Sequence, residues 1–506
     1  MVAPSQRDRE RSELIGLCEE MLGNRRLILL SNRGPVEHQL TADVQLQARR
    51  GTGGAVTAFS SLLRSIDFTW VASAMGEGDR KVAEAAEGSS IRSPIPGHQL
   101  NLRYVVTPRR VYHKYYNVFC NPLLWFLQHY MWSSPYTPNI DAAVHDAWEN
   151  GYTTVNKAFA EAVIAEAQNQ DEPPYVMIHD YHLYLVPLYV RQAIPEATIS
   201  HFIHIPWPSP AYWLLLPSYI RTAICRALCQ CDILGFQSMR DARAFIETCE
   251  EFLPDAEVDH ANHTIALDGR LVRVRAYPIS IDANEIRRIA NSPRSLDYER
   301  RLKPLLLEKT IVRVDRLEPS KNIVRGFRAY YLLLERHPEL HGKVTFMAFL
   351  APSRTRVRQY QRYAEEVDQQ VQAVNSAFGT DEWKPIHAFY ENNYTQAVAG
   401  LRLYDVLLVN SVIDGMNLVA KEGPVVNTCE GVVILSESVG AYDQLRKGVL
   451  AVSPTDIEGT MQAMYRALTM SKEERETRSE TLITTVEDED VTHWLKTQIQ
   501  DMMALS

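Results

Sequence analysis

The chain has 506 residues, more than one domain at roughly 100–200 residues each, so two large domains are expected. Hydrophobic residues make up 46%, charged residues 23% and aromatic residues 9%, which excludes a disordered, collagenous or low-complexity chain. With 53 Lys and Arg against 62 Asp and Glu the net charge is −9, so no global field draws nucleic acid or an anionic membrane, and an anionic ligand must be held by a few placed cations.

The chain opens on MVAPSQRDRERSEL, which lacks the apolar core of a secretion signal. No apolar run reaches the roughly 18 residues of a membrane span. Seven cysteines are an odd number in a large protein, which argues against a disulfide framework and fits a reducing cytoplasm. Cys225, Cys229 and Cys231, in ICRALCQCDILGF, lack a fourth ligand and metal-site spacing and read as buried thiols.

Short apolar runs alternate with amphipathic segments, the grammar of parallel sheets with crossover helices. In the first half strands are predicted at Leu27–Ser31, 104–107, 176–179, 198–203 and Ile233–Phe236. In the second half they are predicted at 310–314, 343–349, Ile386–Phe389, Val406–Val409, 432–435 and 449–452, with helices at Ile323–Arg336, 356–377, 394–403 and 456–468. The hinge falls in 277–289, which gives domains of 1–285 and 286–485. A last helix, Val491–Met503, within 486–506, is expected to return to the first domain.

Ligands of open parallel sheets sit beyond the carboxyl ends of strands. Six polar loops lie there: SNRGPV, HDYHL, HIPWP, VDRLEPSKN, APSR and NSVIDGMNLVAKE. In VDRLEPSKN, Arg316 and Lys321 flank a helix entry at Glu318-Pro319-Ser320, where free N–H groups and the dipole add positive potential, so the pair reads as a diphosphate clamp. In IDGMNLVAKE, the backbone of Asn417, Leu418 and Val419 is aimed at phosphate, Asp414 at sugar or cyclitol hydroxyls, and Glu422 at a ribose through two acceptor oxygens. A solvated turn and an ordinary capped helix are the plain alternatives.

In the first half, Arg33 follows the first strand, and Gly53 and Gly54 let a backbone approach a phosphate. Tyr116 and Trp125 flank one pocket wall, or else are two core aromatics. Asp180 and His204 stand at neighbouring strand ends, and Asp180 beside His182 is open to a simple turn role. Arg354, from APSR, brackets a second anionic group together with Arg33. One diphosphate clamp plus one monophosphate pocket suggest a nucleotide-activated donor and a phosphorylated acceptor.

These blocks, with GFQ and YYN…LW, run in the order of the trehalose-6-phosphate synthase family, and over about residues 26–485 the chain resembles that family. The resemblance implies the GT-B fold, two Rossmann-like domains with parallel sheets facing across a cleft, and retaining glycosyl transfer. It implies that Arg316 and Lys321 bind the donor diphosphate, that Leu418, Val419 and Glu422 hold the nucleotide, and that Asp414 and His204 face the donor ring. Arg33, Tyr116, Trp125, Asp180 and Arg354 hold the phosphorylated acceptor, with Arg316, Lys321, Asp180 and His204 counted as catalytic. Several loops depart from the family pattern: Gly53-Gly54-Ala55, WVASAMGEGD at 70–79, Ile413 before Asp414, Gly423-Pro424 after Glu422, and Asn392 where an aromatic is common at the base pocket.

These departures bear on the substrates more than on the clamp, and the chain resembles most the pseudo-glycosyltransferase branch of validamycin-type antibiotic pathways. That branch implies coupling of GDP-valienol to validamine 7-phosphate through a C–N bond, with retention. The expected partners are therefore a nucleotide-activated cyclitol donor and a phosphorylated aminocyclitol acceptor, with no nucleic acid, no membrane, no metal and no cofactor beyond the donor, and a homodimer as the assembly considered. The rivals are sugar transfer to glucose 6-phosphate and a catalytically silent sugar-phosphate sensor.

Overall fold

The structure is a computed structural model that describes residues 6–40, 45–51, 56, 59, 66–168, 171–355 and 357–505. It divides into two compact units, Met1–Ile279 with Thr492–Ser506, and Ser280–Val491. The division falls a few residues before the expected boundary at 285, and residues 486–491 stay with the second unit.

The second unit is a six-stranded parallel sheet in the order Ile386–Phe389, Val344–Ala351, Lys309–Arg316, Val406–Val409, Val432–Ser436 and Leu450–Val452. Numbered along the chain this is 3-2-1-4-5-6, the doubly wound order. The strands read as near-continuous apolar runs because helices cover both faces; every residue of Val432–Ser436 is buried. The helix Ile323–Arg336 packs Phe327, Tyr330, Leu333 and Leu334 into the core, against Phe346 and Met464 among others. Gly326 belongs there because a Cβ would come within 2.4 Å of the Arg313 guanidinium.

The first unit has a ten-stranded sheet built on the same plan. Its parallel centre runs Asn101–Val105, Thr69–Ser73, Leu27–Ser31, Tyr175–His179, Thr198–Phe202, Ile233–Phe236 and Arg270–Ala276. Antiparallel strands close both edges, Ile91–Arg92 at one and Thr264–Leu267 with Glu257–Asp259 at the other. A separate hairpin pairs Val36–Leu40 with Leu46–Arg50. The C-terminal helix Val491–Met503 docks here, where Trp494 Nε1 donates to Tyr277 O at 3.2 Å and Tyr277 Oη donates to Asp501 at 2.5 Å.

The strand predicted at 104–107 lies three residues earlier, and Thr69–Ser73, Arg270–Ala276 and the hairpin were not foreseen. Polar residues bound the short run of Thr69–Ser73, yet all five of its residues are buried between two parallel neighbours. Among the described residues no helix is long and apolar enough to cross a membrane. All seven cysteines are free thiols, and Cys225, Cys229 and Cys231 are buried.

Candidate active site

In each unit the strand order reverses at one point, and there the chemistry-bearing residues collect. In the second unit this point lies between Lys309–Arg316 and Val406–Val409. Its base is a buried ion pair. Arg313 Nη2 lies 2.7 Å from Asp315 Oδ2, and the same guanidinium donates to Lys321 O at 3.0 Å. Burial pushes the Asp315 carboxyl up, against the pull of Arg313. Asn322, left-handed at φ 57, sends its amide to Asn410 O at 2.8 Å and to Pro454 O at 2.6 Å. These bonds fix the loop that carries Arg316 and Lys321 against the loop after the fourth strand.

On that base stand two charge groups. Lys321 Nζ contacts Asp414 Oδ2 at 2.5 Å, and Asn417 Nδ2 donates to the same oxygen at 3.2 Å. Asn417 is buried at φ 65, and its Oδ1 has no hydrogen-bond partner among the described residues. Gly440 is required beside this loop, since a Cβ there would meet Gly415 O at 1.7 Å. The second group centres on Glu318, which is 0% exposed. Its Oε1 lies 3.0 Å from Arg316 Nη1 and 2.9 Å from Arg354 Nη1, and accepts from Ser353 Oγ at 2.8 Å. Burial opposes its ionisation, but Arg316, Arg354 and Lys321 outweigh it and hold the carboxyl at about 2. Arg316 keeps 56% of its side chain exposed, whereas Arg354 keeps 13%.

The helix Val419–Val426 starts at the end of this loop, with Leu418 and Val419 partly exposed. The N–H groups of Ala420, Lys421 and Glu422 are taken by Asn417 O and Leu418 O, so the entry at Leu418 and Val419 brings the positive end of the helix to the side of Asp414 and Asn417. Glu422 Oε1 accepts from Tyr394 Oη at 2.9 Å, and burial pushes this carboxyl up to about 7, tempered by the tyrosine. Burial also brings the neighbouring Lys421 down to about 7. Asn392 is exposed.

The reversal of the first unit lies between Leu27–Ser31 and Tyr175–His179. Arg33 is exposed just beyond the first strand, and the Ser31 hydroxyl donates to its carbonyl at 2.6 Å. The neighbouring Asn32 is buried, with Oδ1 accepting from Ser73 at 3.0 Å and from Tyr115 at 3.3 Å. Asp180 sits at φ 75, ψ 168, a region open almost only to glycine and occupied by other residues mainly where function demands it. Tyr116 stacks on His182 at 5.8 Å and on Tyr112 at 5.5 Å, so it does stand at this strand end. Trp125 does not share that wall. It is 2% exposed and stacks on His129 at 4.0 Å, so its indole belongs to the core. Gly53 and Gly54 lie outside the described residues.

Three histidines complete the first-unit site. His179 Nδ1 lies 3.1 Å from His204 Nε2, and His201 Nε2 lies 3.1 Å from Asp180 O. His179 Nε2 and His201 Nδ1 are buried without partners among the described residues. An unpaired N–H is the costlier choice there, so each buried ring carries its proton on the paired nitrogen. His179 then donates to His204, and His204 keeps its own proton on Nδ1. Burial pushes His204 down to about 4 and His201 to about 3, and burial with the two neighbouring rings holds His179 well below its usual range. The cluster is neutral at pH 7. It offers hydrogen bonds, where the second unit offers charge.

Sequence reading places Arg33, Asp180, His204, Arg316, Lys321, Arg354, Asp414, Asn417, Leu418, Val419 and Glu422 at strand ends or a helix entry, and they lie there; Tyr116, read as one side of a pocket wall, lies in the helix Lys114–Trp125. Arg33 belongs to the first unit and Arg354 to the second, where it is paired with Glu318. That reading takes Glu318 only as part of a helix entry and gives His179 and Tyr394 no site role. Among the described residues no group of His, Cys, Asp and Glu is arranged to hold a metal.

Residues 25–504 match the family model of glycosyltransferase family 20. The chain is 32% identical over 468 residues to the alpha,alpha-trehalose-phosphate synthase (UDP-forming) of Botryotinia fuckeliana, covering 90% of this chain and 85% of that protein. It is 32% identical over 481 residues to the bifunctional trehalose-6-phosphate synthase/phosphatase of Thermoproteus tenax, covering 93% of this chain and 62% of that protein. Among solved structures, the alpha,alpha-trehalose-phosphate synthase (UDP-forming) of Burkholderia xenovorans in complex with glucose-6-phosphate matches with a TM-score of 0.81 at 28% identity, over 94% of this chain and 99% of that one. An E. coli trehalose-6-phosphate structure bound with UDP-2-fluoro glucose matches with a TM-score of 0.80 at 27% identity, over 94% and 99%.

Proposed function

The chain belongs to glycosyltransferase family 20, and on that premise we propose that it transfers a glucosyl unit from a nucleoside diphosphate to glucose 6-phosphate, with retention, giving trehalose 6-phosphate. The observation that carries this reading is the pair of cations at the switch point of the second unit, Arg316 and Lys321, each beside a carboxylate that orients it.

The chemistry follows from where charge develops. As the bond from the anomeric carbon to the diphosphate oxygen lengthens, positive charge grows on the sugar ring and negative charge on the leaving phosphate. Arg316, Lys321 and the positive end of the helix Val419–Val426, at Leu418 and Val419, stabilise that negative charge, usually the largest catalytic contribution. The acceptor hydroxyl then bonds to the carbon on the face the phosphate leaves, and its proton passes to the departing phosphate oxygen. No protein nucleophile is required. His204, neutral and carrying its proton on Nδ1, offers a hydrogen bond to a sugar hydroxyl without adding charge. In the first unit, Arg33 and Tyr116 hold the acceptor phosphate and Asp180 orients the acceptor hydroxyls; such fixation removes much of the entropic barrier.

The narrower expectation, GDP-valienol joined to validamine 7-phosphate as validoxylamine A 7′-phosphate, rests on the resemblance of the chain to the pseudo-glycosyltransferase branch. The names of the relatives favour the sugar reaction. Mass spectrometry of parallel incubations separates the two: UDP- or GDP-glucose with glucose 6-phosphate, and GDP-valienol with validamine 7-phosphate. Trehalose 6-phosphate is the expected product. An amine-linked product alone replaces this reading with the cyclitol one, and binding without turnover of either pair replaces both with a sensor.

A further inference from the structure

The proposed transfer uses Glu318 only as the carboxylate that orients Arg316, yet Glu318 also holds Arg354. A carboxylate facing a phosphate site is unfavourable on charge alone, and this one is fully buried, which adds a desolvation cost. Its surroundings show what offsets that cost. One oxygen, Oε1, faces the guanidinium groups of Arg316 and Arg354 and the hydroxyl of Ser353. These residues follow two adjacent strands, whose register pairs Arg316 with Ala351. Arg354 is further held by Tyr360 Oη, which accepts from Nη1 at 2.6 Å, and its backbone sits at φ 43. Arg354 is thus anchored, while Arg316 is tethered at one end with its head half in solvent.

We propose that Glu318 is a positioning residue that joins Arg316 and Arg354 into a single anion receptor, so that an anion on either arginine changes the hold of Glu318 on the other. When a diphosphate draws Arg316 off Oε1, the carboxylate is left to Arg354 and Ser353. When Arg354 is lost, Glu318 closes on Arg316 alone and competes with the diphosphate. The retained negative charge of Glu318 at neutral pH follows from the cations around it. The assignment of a diphosphate to Arg316 rests on the proposed transfer, but the linkage itself does not.

A double-mutant cycle tests the linkage with UDP as the probe, read by calorimetry on the full chain. Arg354→Ala is expected to weaken UDP binding at least about threefold more in the wild-type background than in Glu318→Gln, the size of coupling seen between contacting groups. Equal costs in both backgrounds overturn the proposal. If Glu318→Gln fails to fold, Ser353→Ala replaces it as the background, since it removes one hydrogen bond to the same oxygen; the cost of Arg354→Ala must then still change, and an unchanged cost again overturns the proposal. Turnover supplies the second readout. Glu318→Gln should lower kcat about 10- to 100-fold with UDP affinity held or tightened, because a negative charge is gone but the geometry is lost. Glu318→Asp, which keeps the charge on a shorter arm, should recover part of kcat. A Glu318→Gln enzyme with wild-type kcat overturns the positioning role, whereas absence of turnover in the wild type overturns the transfer reading and leaves the binding cycle to decide the linkage.

Discussion

The two switch points solve opposite problems with the same topology. In the second unit five charged side chains gather at neighbouring strand ends, and each carboxylate has a cation within about 3 Å: Glu318 with Arg316 and Arg354, Asp414 with Lys321, so that Glu318 keeps its charge despite full burial. In the first unit three histidines are packed together and none is charged, because burial without a carboxylate partner expels the proton. The second-unit strand ends present fixed charge, and the first-unit strand end presents neutral hydrogen-bonding rings. Desolvation acts in both, and the presence of a counter-charge decides its outcome.

The comparison breaks most sharply at Lys321. Under the proposed transfer, Lys321→Ala removes the ammonium that faces the leaving phosphate and leaves Asp414 without its cation, so the net charge of the pair falls from zero to −1. Losing one such donor costs about 10²–10³ in kcat, and the stranded carboxylate adds repulsion. The expected result is a fall of at least that size in single-turnover rate, with the thermal melt little changed because Lys321 lies at the edge of the site and not in the core. A near-normal rate removes the charge-stabilisation account.

The legibility of these sites in the sequence follows the range of the contacts. Arg316 and Lys321 are readable because strand, turn and helix start lie within eight residues of one another, and the apolar run announces the strand. The helix Ile323–Arg336 is readable for the same reason, as its buried face repeats at helical spacing. Glu318 was legible only as part of a helix entry, since Ser353 and Arg354 stand on the next strand's loop and nothing local announces that they converge on it. Trp125 shows the reverse error. Its position beside the aromatic run of Tyr115 and Tyr116 suggests a pocket wall, but the long helix turns its indole onto His129 and away from solvent. The strand Thr69–Ser73 was missed because its polar ends resemble loop chemistry, and only its two parallel partners make those ends part of a buried sheet.

The histidine side of the comparison sharpens through pH. His201 titrates near 6.5 when unfolded and at about 3 in the folded chain. Between pH 7 and pH 5 the unfolded form gains a proton that the folded form refuses, so stability present above pH 6.5 is lost as pH falls. For one such histidine the loss over those two units is ~2 kcal/mol. His201→Leu removes that share while filling similar volume. Its urea midpoint should therefore move less than the wild-type midpoint between pH 7 and pH 5, even if the variant is less stable at pH 7. Parallel shifts in the two proteins would mean that the cluster titrates freely and is not held neutral by burial.

The smallest expected effect lies where the two solutions meet in one residue. Glu422 is an acidic group in the charged unit that behaves like the histidines, since burial without a cation lifts it to about 7 and only the Tyr394 hydroxyl favours its ionised form. Ribose recognition through two acceptor oxygens requires the carboxylate, so nucleotide affinity should rise as pH climbs through about 7. Tyr394→Phe deletes the hydrogen bond, pushes the carboxyl further up and moves that rise to higher pH. A hydrogen bond to a charged group contributes about 1.5–3 kcal/mol at most, and the half-exposed tyrosine shares it with water, so the shift should be a fraction of that. The variant should bind UDP a few-fold more weakly at pH 7 and nearly as well as the wild type at pH 8.5. A uniform loss across that range would assign Tyr394 to packing against the nucleotide instead of to the charge state of Glu422.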